Sequence, residues 1–95
     1  MEARYEIIYK TIAEKQLKKL PRFIREAVRI WVHAVEEGGI REVRKIPGYH
    51  DEPLFGMRRG QRSVRLNRSY RLIYKEYEDG RITIVQVMEV NKHAY

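Results

Sequence analysis

The chain has 95 residues, no cysteine and a formal net charge of +7. That length suits a single domain, 1–95, whose folding buries about 60–65% of the unfolded surface, so its core is modest. The lack of thiols excludes disulfides and thiolate zinc sites. No apolar run approaches the roughly 20 residues of a membrane span. The opening "MEARYEIIYK" does not read as a signal peptide. A cytoplasmic protein with no membrane partner is expected.

In chain order, "RYEIIYK" (Arg4–Lys10) reads as a short strand of aromatic and β-branched residues. Thr11 can cap a first helix, with Glu14 completing a capping box. Ala13, Leu17 and Leu20 recur on one face of that helix. Pro21 interrupts it or opens the next helix at its first turn. The second helix, Arg22 to Glu37, carries an apolar stripe of Ile24, Ala27, Val28, Trp31 and Val35. Gly38 and Gly39 end it. Ile40 to Gly60 reads as a loop, with a short strand conceivable near Arg41–Lys45. Three strands follow: "QRSVRL", then "YRLIYKEY" after an "NRS" turn, then "RITIVQVMEV" after the hairpin signal Asp79-Gly80. Turns this short pair neighbouring strands antiparallel. The fold class is therefore α+β, ordered β-α-α-β-β-β. A helical hairpin packs on one face of a small, antiparallel-dominated sheet, and the other face stays partly open.

The charge is concentrated. Arg41 to Arg71 holds nine basic residues against three acidic ones. Such a surface attracts nucleic acid, anionic lipid or an acidic protein. Arg58, Arg59 and Arg62 form the run "RRGQR", and Arg68 and Lys92 extend the basic set. Contact with an RNA backbone is the functional reading of these five; a solvated charge run or a protein-docking surface is the ordinary one. Arg65 alternates with Val64 and Leu66, so it points away from them. Arg71 likewise alternates with Tyr70 and Leu72. Three scattered histidines have no metal-ligand spacing, so no metal is expected. No phosphate loop or dinucleotide fingerprint is present, and no cofactor is expected. His33, inside the second helix, reads as an ordinary helix histidine.

The stretch "IPGYHDEPLFGMRRGQRSVRLNRSYRLIYK", with "LKKLPRFI" before it and "NKHAY" after it, resembles the RelE/ParE toxin superfamily over nearly the whole chain. The resemblance rests on a "PL.G" segment, a basic glycine, an "R.iRl...yRliY" pattern and a histidine or tyrosine tail. It implies a toxin of a type II toxin–antitoxin module, neutralised by a cognate antitoxin. RelE, HigB, YoeB and YafQ types cut messenger RNA on the ribosome, whereas ParE types inhibit DNA gyrase. DNA would be met only indirectly, through the antitoxin. The residues themselves do not exclude a third possibility, a non-catalytic RNA-binding module.

Metal-free RNA cleavage needs a base for the 2′-hydroxyl, donors for the phosphate charge and an acid for the leaving 5′-oxygen, and it yields a 2′,3′-cyclic phosphate. Histidine suits the acid or base role and arginine the phosphate. The resemblance places His50 and His93 in those roles. It makes Arg65 a phosphate clamp, Arg71 a catalytic or structural arginine, and Tyr95 a replacement for the family's tail tyrosine, which stacks on a base or covers the sheet edge. Asp51 and Glu52 orient His50 or replace it as base, although a solvated loop acid is the ordinary reading of each. The YafQ-like branch has a histidine where Arg65 stands and an aspartate where Ser69 stands. On both counts this chain departs from that branch.

Overall fold

In a computed structural model, the structure describes residues 4–92. Strand β1 (Arg4–Tyr9) alternates exposed and half-buried side chains, as a strand covered on one side must. Helix α1 (Thr11–Lys19) buries Ala13, with Leu17 and Leu20 packed at the core margin. Helix α2 (Arg22–Gly38) buries Ile24, Val28, Trp31 and Val35, the stripe its spacing predicts. Pro21 stands just before α2 at φ −55°, and its carbonyl accepts the first amides of the helix.

Two local expectations are corrected. Thr11 is the first helical residue, Lys10 holds the cap position, and no side chain caps the helix. Arg41–Lys45 forms no strand: Ile40–Val43 is a short helix, α3, with Ile40 and Val43 buried. Gly39 explains that turn. It sits at φ 87°, and a Cβ there would lie 2.6 Å from the Tyr5 hydroxyl. The chain therefore leaves α2 in a conformation that favours glycine and starts a new helical turn at once.

After α3 come a short turn of 3-10 helix (Pro47–Tyr49) and the two-residue strand β2 (Glu52–Pro53). A second 3-10 turn (Gly56–Arg58) precedes β3 (Gln61–Arg65), β4 (Tyr70–Asp79) and β5 (Ile82–Lys92). The sheet order is β1-β5-β4-β3-β2. All neighbours are antiparallel except β1 and β5, which pair parallel. That parallel pair follows from the crossover through the helices between them.

One sheet face carries Val64, Leu72, Tyr74, Val85, Val87 and Val90, which form the core with Trp31, Val35, Ile40 and Val43 from the helices. Trp31 and Tyr74 meet with ring centroids 5.4 Å apart. Gln16 of α1 accepts the Val90 amide at 2.7 Å, tying the helix to β5 close to its register shift. The opposite face, which no helix covers, presents Gln61, Ser63 and Arg65 on β3 and Arg71, Ile73 and Lys75 on β4. Glu89 and Asn91 of β5 continue it. Among the described residues no helix is long and apolar enough to cross a membrane.

Candidate active site

The uncovered face carries two of the cations that the sequence points to, Arg65 and Arg71, together with a carboxylate. Residues Arg65 and Arg71 stand directly opposite each other across β3 and β4. Side chains of opposite residues lie about 5 Å apart at Cβ, so both arginines leave the sheet on the same face. Arg65 is exposed. Arg71 is held: it donates to Ser63 Oγ at 2.7 Å and lies 3.7 Å from Glu52 Oε1. Ser63 is 1% exposed, a buried hydroxyl with its partner in place. Glu52, half exposed, pairs across β2 and β3 with Ser63. The result is a carboxylate and two arginines on one accessible strip.

A second polar group borders the strip. Arg58 donates to Gln61 Oε1 at 3.1 Å and is ion-paired with Glu89, which also accepts from Asn91. Arg58 is thus partly neutralised. Arg59 and Arg68 are exposed. Arg68 lies in the turn between β3 and β4, which Asn67 closes by accepting the amides of Ser69 and Tyr70. Lys92 pairs with Tyr70 and is in phase with Leu72 and Val90, so it leaves the sheet on the side opposite Arg71, exposed at the end of β5. The last described residue therefore stands at the Arg65–Arg71 end of the sheet.

Arg62 does not belong to this group. Its position pairs with Tyr74, on the covered face. Its Nε donates to Asp51 Oδ1 at 2.5 Å, so its charge is engaged on the covered side. Asp51 is no solvated loop acid either: its side chain is 1% exposed. Tyr74 donates its hydroxyl to Asp51 Oδ2 at 2.6 Å, and Arg44 reaches Tyr74 at 3.3 Å and Glu76 at 2.6 Å. Burial, then the Asp51 carboxylate, pushes the Tyr74 phenol well above its ordinary pKa, and it remains a neutral donor.

His50 is exposed and sits in the left-handed region at φ 45°. Among the described residues it makes no side-chain hydrogen bond or ion pair. It lies near Glu52 in sequence, but the strip's carboxylate is that of Glu52, which the sequence offers only as a stand-in. Adjacent residues of an extended segment point to opposite faces, so Asp51 inward sets Glu52 outward. His33 is exposed on α2, 4.0 Å from Glu37, as an ordinary helix histidine is. His93 and Tyr95 lie outside the described residues. Among the described residues no cluster of metal-ligating side chains forms.

No protein-family profile and no curated protein matches the sequence. Solved structures do match. YafQ from E. coli superposes with a TM-score of 0.76 at 15% identity, over 95% of this chain and 94% of that one. The RelBE2 toxin–antitoxin complex from Mycobacterium tuberculosis matches at 27% identity, with a TM-score of 0.64 over 95% of this chain and 99% of that one. The chain thus has the fold of the RelE, YoeB and YafQ toxins. The YoeB dimer from Staphylococcus aureus adds a TM-score of 0.66 at 18% identity over 98% and 100% of the two chains. A RelE-type fold is thus present over almost the full length, and it carries the Glu52–Arg71–Arg65 strip on its uncovered face.

Proposed function

We propose that this protein is the toxin of a type II toxin–antitoxin pair and that it cuts messenger RNA on the ribosome, in the cytoplasm. The observation that carries the reading is the strip on the uncovered face: Glu52 lies 3.7 Å from Arg71, with Arg65 opposite Arg71. A carboxylate and two guanidinium groups on one accessible surface supply a base and an anion clamp for a phosphodiester.

In this reading Glu52 takes the proton of the 2′-hydroxyl. The 2′-oxygen attacks phosphorus, and the bond to the 5′-oxygen breaks. Arg65 and Arg71 stabilise the charge that grows on the phosphate oxygens, with Ser63 fixing Arg71. His93 protonates the leaving oxygen, and Tyr95 stacks on a base. The products are a 2′,3′-cyclic phosphate and a 5′-hydroxyl. His50 is the competing base. Arg59, Arg68 and Lys92 hold the RNA backbone, and Arg58 contributes at the margin. No cofactor takes part. The cognate antitoxin covers this basic face or wraps the helices, and any contact with DNA is made through it. The solved RelBE2 relative, a toxin–antitoxin complex, supports such a partner.

The test is primer extension on a defined message in a purified ribosome assay, with wild type, Glu52→Gln and His93→Ala. Cuts within ribosome-bound codons, lost in the variants, are the expected result. An intact message, with growth still arrested in cells, overturns it. Gyrase inhibition in the ParE manner, or simple RNA binding, would then account for the toxicity.

A further inference from the structure

Strand β2 is too weak to set its own register. It has two residues, and one of them, Pro53, has no amide to donate. The backbone tie beyond it is Leu54 N to Gln61 O at 2.9 Å. Just before it, His50 holds a left-handed conformation that is unfavourable for a residue with a Cβ. A slip of one residue would turn Glu52 to the covered face and remove it from Arg71.

Between these weak elements stands Asp51, the most tightly held carboxylate in the loop. Its side chain is 1% exposed; it accepts from Arg62 at 2.5 Å and from Tyr74 at 2.6 Å, with Arg44 at 4.0 Å. A buried carboxylate stays charged only with such partners, and they come from β3, β4 and the end of α3. We propose that Asp51 is a positioning residue: anchored to Arg62 and Tyr74 on the covered face, it fixes the register of β2 and so presents Glu52 beside Arg71 on the other face. The inference rests on Glu52 acting as the base, but its structural half stands apart from the chemistry.

Two measurements on the whole protein test it. The first is single-turnover cleavage on programmed ribosomes. Asp51→Asn lowers the cleavage rate about 10- to 100-fold, the scale of a small misplacement of a reacting group, and leaves the half-saturating ribosome concentration unchanged. On a Glu52→Gln background the same substitution lowers the rate no further, because both act through one group. The second is amide exchange. Asp51→Asn lowers protection of the Leu54 amide about tenfold or more, while the Val85 and Val87 amides keep theirs. Tyr74→Phe removes one of the two hydrogen bonds but keeps the ring against Trp31. It gives a smaller change in the same direction, and it decides the matter alone if Asp51→Asn does not fold.

A loss on the Glu52→Gln background as large as on wild type makes Asp51 merely structural and overturns the proposal. So does unchanged Leu54 protection in both variants. If wild type cuts no message, the nuclease reading fails first, and amide exchange still decides whether Asp51 sets the strand.

Discussion

Arg65 and Arg71 face each other across β3 and β4 as a directly opposed pair of like charges. Such a pair works against the sheet. Arg71 is partly relieved by Glu52 and Ser63, whereas Arg65 is exposed to solvent. Under the proposed function the phosphate of the RNA relieves this repulsion. Arg65→Ala is therefore expected to leave the protein as stable as before, or more stable by about 0.2–1 kcal/mol. Its ribosome-dependent cleavage falls about 100-fold, the cost of losing one preorganised donor to the phosphate. Chemical denaturation alongside single-turnover cleavage checks both halves. A loss of stability in step with activity would return Arg65 to a structural role.

The choice of base gives a second expectation. Glu52→Gln keeps the size of the side chain and removes its ability to take a proton. Cleavage should drop by about 100- to 10,000-fold, the usual contribution of a general base. His50→Gln should leave the rate nearly unchanged, because His50 makes no side-chain hydrogen bond or ion pair with the strip among the described residues. Measuring the two variants side by side on the same ribosomes decides between them. The reverse ranking would restore His50 as the base.

Much of this architecture is legible in the sequence. The α2 stripe, the strands β1, β3, β4 and β5 and the Asp79-Gly80 turn all follow from local patterns. Those patterns are repeated every few residues and need no distant partner. The α3 segment misled because "IREV" holds only four residues, two of them β-branched, and its helix depends on the turn at Gly39. Asp51 was illegible for a different reason. Its partners Arg62 and Tyr74 lie 11 and 23 residues away. Nothing local distinguishes a carboxylate that folding buries from one left in water. The direction of Glu52 follows from the same burial, since it is fixed only once that of Asp51 is known.

Gly39 offers a test of stability without a test of chemistry. Gly39→Ala puts a Cβ at φ 87° and 2.6 Å from the Tyr5 hydroxyl. The backbone strain alone costs about 1–3 kcal/mol. The contact adds to it unless Tyr5 moves. A lower Tm with unchanged cleavage per folded molecule is expected. An unchanged Tm would mean that the α2–α3 junction adapts freely.

Tyr74 sets an alkaline limit. Burial first, and then Asp51, raises its pKa above that of a free tyrosine. Burial also raises Tyr49 and, with help from Glu36, Tyr9. A tyrosine in the unfolded chain ionises near pH 10. Above that pH the unfolded state sheds a proton that the folded state keeps, so stability falls as pH rises. The contribution of Tyr74 is fully present below pH 10, and above it is lost at up to about 1.4 kcal/mol per pH unit. Denaturation from pH 8 to 11 should show this decline, and Tyr74→Phe should make it shallower. An equal slope in the variant would assign the decline to other groups.

The bordering pair Arg58 and Glu89 predicts a gain rather than a loss. Arg58 is ion-paired with Glu89, so part of its charge is already spent. Glu89→Gln releases that guanidinium and removes a carboxylate from the face proposed to meet the phosphates. Binding to ribosomes carrying a message with 2′-deoxy substitution at the cleavage site should tighten. The slope of log affinity against log salt should steepen by about 0.7, the counterion contribution of one added phosphate contact to a single strand. Arg59→Ala should flatten the slope by a similar amount, because Arg59 is exposed and makes no ion pair among the described residues. Arg58→Ala should weaken binding more than Arg59→Ala does, since it also leaves Glu89 uncompensated beside the RNA. Titrations at several salt concentrations measure all three. Identical slopes for wild type and Glu89→Gln would move Arg58 away from the RNA.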